Sequence, residues 1–108
     1  MKLPTEVFGN VVVVHTPEEL GEEQAAQLSA FLTTLDRVNV ILDLDGTESI
    51  DSGGLTSLLE TQESLRNADG DLRVSTSNKV NRKILEITRL DQHLEVYDSV
   101  IEAVKSFV

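Results

Sequence analysis

The chain has 108 residues, 40% of them hydrophobic, which suits one domain with an ordinary core that buries roughly 65% of the surface exposed on unfolding. Nine Lys and Arg against nineteen Asp and Glu leave a net charge of -10, a field that repels phosphate backbones and anionic membranes and argues against nucleic acid as a partner. Cysteine is absent, which excludes a disulfide, a thiol nucleophile and a thiolate metal site.

The stretch from Met1 to Glu6 carries no apolar run of the secretory kind, and the run from Val11 to Val14 is too short to cross a membrane. The expectation is a soluble, cytoplasmic, single-domain protein over residues 1–108 with no bound cofactor or metal, monomeric or weakly dimeric.

Val7-Phe8 and Val11 to Val14 are rich in β-favouring residues, and Gly9-Asn10 between them tolerates the positive φ of a tight hairpin. From Pro17 to Asp36, Leu20, Ala25, Leu28, Phe31, Leu32 and Leu35 recur at helical spacing, with Glu18, Glu19, Glu22 and Glu23 in the expected first turns. Acidic side chains there complement the positive end of the helix dipole. Val38 to Leu44 is a nearly continuous apolar run, the pattern of a strand covered on both faces and hence central in the sheet.

After a polar turn, Leu55, Leu58, Leu59, Leu65 and Ala68 mark a helix that Asp69-Gly70-Asp71 should end. Leu72 to Ser75 reads as a strand. Asn78 caps a third helix with Val80, Ile84 and Ile87 expected inward, and Leu94-Glu95-Val96 reads as a short strand. Asp98 or Ser99 caps a final helix with Val100, Ile101, Val104, Phe107 and Val108 as its apolar stripe. Phe8, Phe31 and Phe107 are expected as core anchors. The order β-β-α-β-α-β-α-β-α implies an α/β fold, a mixed sheet of four to five strands flanked by about four helices.

The informative segment runs from Leu44 to Glu60 and joins the buried strand to a helix with small, polar first residues, a junction where function tends to sit in α/β folds. Asp51 or Ser52 can accept hydrogen bonds from the free amides of the first turn, and Gly53-Gly54 would clear side chains from a partner's path. With Glu48 and Thr56, these residues make a candidate protein-docking surface.

Ile50-Asp51-Ser52-Gly53-Gly54-Leu55 followed by Leu58-Leu59 resembles the signature of the STAS domain, the family of bacterial anti-sigma factor antagonists, and the order of elements is similar too. Asp51, Ser52, Gly54 and Leu55 match the motif; Gly53 stands where a second hydroxyl residue is usual, and Thr56 where a glycine is common. The resemblance implies a non-enzymatic switch. Ser52 would be phosphorylated by the cognate anti-sigma factor, a GHKL-type serine kinase, and the unmodified form would bind that partner. The family also implies an alternative, an unphosphorylated subunit of a transporter or stress-sensing complex.

A rival motif lies just upstream. Val40 to Thr47 spells an apolar strand followed by Asp43-Leu44-Asp45-Gly46-Thr47, which resembles the first motif of the haloacid dehalogenase phosphohydrolases. There Asp43 would attack a phosphoryl group and Asp45 protonate the leaving group beside magnesium, with Ser75, Thr76 and Lys79 or Lys83 in support. Asp91 to Asp98 lacks the compact acidic pair which that chemistry needs. His15 and His93 have no ligand-spaced companions and receive no role. Lys79, Arg82, Lys83 and Arg89 form a basic cluster that reads as a solvated helix face.

Overall fold

A computed structural model describes residues 3–107. β1 (Thr5–Phe8) and β2 (Val11–His15) form the expected antiparallel hairpin, with Gly9 at φ 63° in its turn. β2 then pairs in parallel with β4 (Asn39–Asp43), β4 with β6 (Asp71–Ser75), and β6 with β7 (Val96–Tyr97). The sheet order β1-β2-β4-β6-β7 places the apolar run of β4 at the centre.

Strand alternation divides the core in two. Val12, Val14, Val40, Leu42, Leu72 and Val74 face α1 (Glu22–Leu32), α2 (Ser52–Asn67) and α3 (Lys79–Ile87), whose Leu28, Leu58 and Leu85 are buried against them. Val11, Val13 and Ile41 turn the other way, toward Ala103 of α4 (Val100–Lys105). A strand with both faces covered needs no polar alternation, which is why β4 is apolar throughout its middle.

An additional two-stranded ribbon, β3 (Glu19–Leu20) parallel to β5 (Ser49–Ile50), separates from the main sheet. It corrects the start of the first helix. Gly21 is the N-cap, its N–H donates to Gln24 Oε1 at 3.1 Å, and of the four glutamates Glu22 and Glu23 alone occupy the first turn. Two residues of strand carry too little periodicity to stand apart from a helical pattern.

Other details also differ. α3 buries Asn81 and Leu85, while Val80 and Ile87 are exposed. The helix is rotated so that Asn81 reaches inward, donating from Nδ2 to Leu44 O at 3.0 Å and Thr47 O at 2.9 Å. The last strand is shifted to Val96–Tyr97, with Leu94 buried before it and a 3-10 turn at Leu90–Gln92. Ser99 is the cap of α4, Ile101 faces solvent, and Val108 lies outside the described residues.

Of the three phenylalanines, Phe31 packs against the larger core and Phe107 against the smaller one, with the Arg73 guanidinium 4.0 Å above the Phe107 ring. Phe8 is exposed, because β1 is an edge strand and α4 covers that position only in part.

Candidate functional site

The approach to α2 is held at several points before its first residue. Leu44 N donates to Ser75 O at 2.9 Å, and the buried Thr47 hydroxyl contacts Pro17 O at 2.6 Å and the Thr16 hydroxyl. With the Asn81 amide on Leu44 and Thr47, these bonds satisfy the turn's buried polar groups and define its path. Glu48 N then donates to Glu18 O at 2.7 Å and Asp51 N to Leu20 O at 3.4 Å, along the β3–β5 ribbon.

Asp51 is the N-cap of α2. Its Oδ1 accepts from Gly54 N at 2.8 Å, satisfying one of the free amides of the first turn. A Cβ on Gly54 would lie 2.1 Å from Leu20 O, and one on Gly53 would lie 2.7 Å from Glu22 Cβ. The two glycines thus exist for close packing of α2 on the ribbon and α1. Gly54 is buried, so it supplies that packing instead of contact surface, while Gly53 is half-buried and lines the polar depression at Ser52.

Ser52, the first residue of α2, is exposed, and no hydrogen bond occupies its hydroxyl among the described residues. The Thr56 hydroxyl one turn later is engaged, donating to Ser52 O at 3.0 Å. Two open depressions meet at Ser52. One, of about 320 Å³, is polar and is lined by Glu22, Gly53, Thr56, Ser57 and Glu60. The other, of about 260 Å³, is lined by Leu55, Thr56, Leu59, Thr88 and Leu90. Glu48 and Asp51 are exposed nearby in sequence, and among the described residues no Lys or Arg lines either depression.

The rival carboxylates are engaged within the fold. Asp43 Oδ2 lies 2.8 Å from His15 Nδ1, and Asp43 Oδ1 accepts from Asp45 N at 3.1 Å. Asp45 Oδ1 accepts from Ser77 N at 2.6 Å and from the Thr76 hydroxyl at 3.2 Å, while its Oδ2 accepts from the Ser77 hydroxyl at 3.1 Å. Asp45 therefore ties the turn to the start of α3. Among the described residues, no group of three or more His, Asp or Glu side chains is arranged to hold a metal ion.

His15 has a role that spacing along the chain did not reveal. The parallel register sets it beside Asp43, and its Nε2 lies 2.7 Å from Glu6 Oε1, so one imidazole bridges two carboxylates. Partial burial lowers its pKa, but the hydrogen bonds to Glu6 and Asp43, with their charges, outweigh that effect and hold it above 6.5. His93 contributes its carbonyl, which accepts from Gln62 Nε2 at 2.8 Å. In the basic cluster Arg82 pairs with Asp98 at 2.9 Å, and Lys79 and Arg82 line a depression of about 230 Å³ with Thr76, Ser77, Asn78 and Asp98.

These features define a mixed α/β domain with one presented polar helix start, capped from behind and open in front. The STAS domain family matches residues 2–103, and the chain belongs to that family. It is 26% identical over 106 residues to a candidate anti-sigma factor antagonist of Thermotoga maritima, covering 94% of each chain. The crystal structure of a candidate anti-sigma factor antagonist from Thermotoga maritima superposes with a TM-score of 0.83 at 24% identity, over 96% of this chain and 92% of that one. The phosphorylated form of the Bacillus cell fate determinant SpoIIAA superposes with a TM-score of 0.71 at 19% identity, over 99% and 100%. Among the described residues no helix is long and apolar enough to cross a membrane.

Proposed function

We propose that the chain is an anti-sigma factor antagonist whose Ser52 surface docks an anti-sigma factor, itself a GHKL-type serine kinase, and lets it go once Ser52 carries phosphate. The observation that carries this reading is the exposed, unengaged Ser52 hydroxyl at the start of a capped helix. A kinase can reach that oxygen without unfolding anything. Gly53 and Thr56 line the depressions beside it and Asp51 and Glu48 are exposed in the segment before it, which together supply contact surface, and Leu55 and Leu59 form an apolar wall next to it.

The chemistry favours a switch at the interface over a switch in the fold. A phosphoserine brings about -1.5 to -2 charges at neutral pH. At a helix start, amides and dipole offset such a charge by up to about 1 kcal/mol, so the domain stays folded. Glu22 and Glu60 share the adjacent depression and, among the described residues, no Lys or Arg lines it, so no side chain lining it neutralises the phosphate. A partner closing over it meets desolvation and repulsion; a loss of about 3 kcal/mol is roughly a hundredfold in affinity.

The test is a titration of the anti-sigma factor with three forms of the chain. Wild type and Ser52→Ala bind alike, Ser52→Asp binds roughly a hundredfold more weakly, and incubation with the kinase and ATP places one phosphate on wild type and none on Ser52→Ala by mass spectrometry. Equal affinity of Ser52→Ala and Ser52→Asp removes the switch. Capture of a transporter in place of a kinase by the wild-type chain supports the unphosphorylated-subunit alternative.

A further inference from the structure

β1 is the outer strand of the sheet, and all four of its residues, Thr5 to Phe8, are exposed. Edge strands are ordinarily blunted by Lys, Pro, a bulge or a covering element. Here the single charge within β1 is Glu6, and its Oε1 is already turned to His15. Val7 is 52% and Phe8 44% exposed. Phe8 also lines an apolar groove of about 230 Å³ with Val100, Ile101, Val104 and Lys105, and Ile101 is 67% exposed. Among the described residues no carboxylate lines that groove, so in a chain of net charge -10 self-approach meets less repulsion here than elsewhere.

The backbone of this edge is set for pairing. His15 N donates to Pro4 O at 3.0 Å, so by the alternation of an antiparallel ladder Glu6·Val13 and Phe8·Val11 are the hydrogen-bonded pairs. The N–H and C=O groups of Thr5 and Val7 therefore point away from β2, toward the free edge. We propose that those of Val7 pair with Val7 of a second copy of the chain, antiparallel about a two-fold axis centred on that residue, to make one continuous sheet across both protomers.

Two-fold symmetry restricts the register. A centre on Glu6 would oppose carboxylate to carboxylate across a non-hydrogen-bonded pair, where facing side chains lie closest and like charges repel. A centre on Val7 places valine against valine and each Glu6 against Phe8 of the other copy. Glu6 and Phe8 share the α4 face with Val13 and Val11, so each Glu6 arrives beside the groove that Lys105 lines, where the charges are opposite. A four-residue strand pair with one small groove falls below the roughly 1,200 Å² of stable interfaces, so the dimer is weak and exchanges readily.

Sedimentation equilibrium on the full chain, from about 10 μM to about 1 mM at low salt and at about 0.3 M salt, tests the pairing. The expected result is a concentration-dependent dimer that tightens at higher salt, because the remaining negative charge is then screened. Val7→Lys and Ile101→Glu each weaken it at least tenfold, while circular dichroism reports an unchanged fold. In wild type, hydrogen exchange at the amide of Val7 slows with concentration. Ser52→Asp leaves the dimer intact, since the groove and the Ser52 surface share no residue. A chain that stays monomeric to about 1 mM at both salts overturns the proposal, as does a dimer indifferent to both substitutions or one broken by Ser52→Asp.

Discussion

Two junctions in this domain look alike on paper, the turn Asp43-Leu44-Asp45-Gly46-Thr47 and the helix start Asp51-Ser52-Gly53-Gly54. Both follow a strand, both mix carboxylates with hydroxyls and glycines, and each resembles a known motif. In the fold they have opposite fates. The first is bound into the molecule, with Asp43 held to His15, Asp45 to Ser77 and Thr76, and Thr47 buried against Thr16 and Pro17. The second spends one Asp51 oxygen on the Gly54 amide and packs both glycines against neighbouring segments, and it leaves the Ser52 hydroxyl outside. A polar motif is available for function when its groups have no internal partner, and spacing in the sequence does not reveal that.

Substitutions probe this contrast, beginning with the most damaging. Gly54→Ala drives a methyl into the Leu20 carbonyl, which cannot retreat without breaking the ribbon; we expect a loss of about 3 kcal/mol in urea denaturation. Gly53→Ala, facing the Glu22 side chain, should cost about 1 kcal/mol. If Gly53→Ala proved the more harmful, the packing account of this pair would be wrong. Asn81→Ala leaves the carbonyls of Leu44 and Thr47 buried without that donor and should cost about 2 kcal/mol by the same measurement.

Asp45→Ala removes acceptors for Ser77 and Thr76 and should cost about 1 kcal/mol, with anti-sigma factor affinity unchanged. A magnesium-dependent phosphomonoesterase activity that disappeared in Asp43→Asn would break the comparison, by making the bound-in turn a catalytic one.

The His15 bridge contributes a pH dependence whose direction follows from its raised pKa. A group that binds its proton more tightly when folded stabilises the fold fully below its unfolded pKa near 6.5, and that contribution is lost as pH rises through the higher folded value. Stability should therefore decline from about pH 6.5 upward in wild type, and His15→Gln should remove that component of the slope. A wild-type curve flat across this range would show the bridge to be energetically silent. The smallest effect belongs to Ser52→Ala, which removes no internal bond and should change stability by less than about 0.5 kcal/mol.

Much of the architecture was legible because long-period signals are redundant. The Gly9-Asn10 hairpin, the apolar run of β4, the Asn78 cap and the Asp69-Gly70 stop each rest on backbone chemistry local to those residues, and each holds. Where the pattern was short, it misled. The β3–β5 ribbon is two residues per strand, and its glutamates were absorbed into a helix that starts later. α3 shows the other failure: Val80 and Ile87 obey helical spacing, yet the side chains the helix buries are Asn81 and Leu85. The need to satisfy the carbonyls of Leu44 and Thr47 accompanies that rotation, and no hydropathy pattern counts hydrogen bonds across distant segments.

By itself, then, the sequence determined the α/β order, the central strand, the capped start of α2 and the motif at Ser52, because periodicity, caps and turns are properties of neighbouring residues. The tertiary structure alone decided which polar groups are occupied. His15 met Asp43 and Glu6 through strand register, Gly53 and Gly54 acquired their reason from Glu22 and Leu20, and β1 was left as an open edge. Each of these depends on contact between residues far apart in the chain, and only folding brings them within bonding distance.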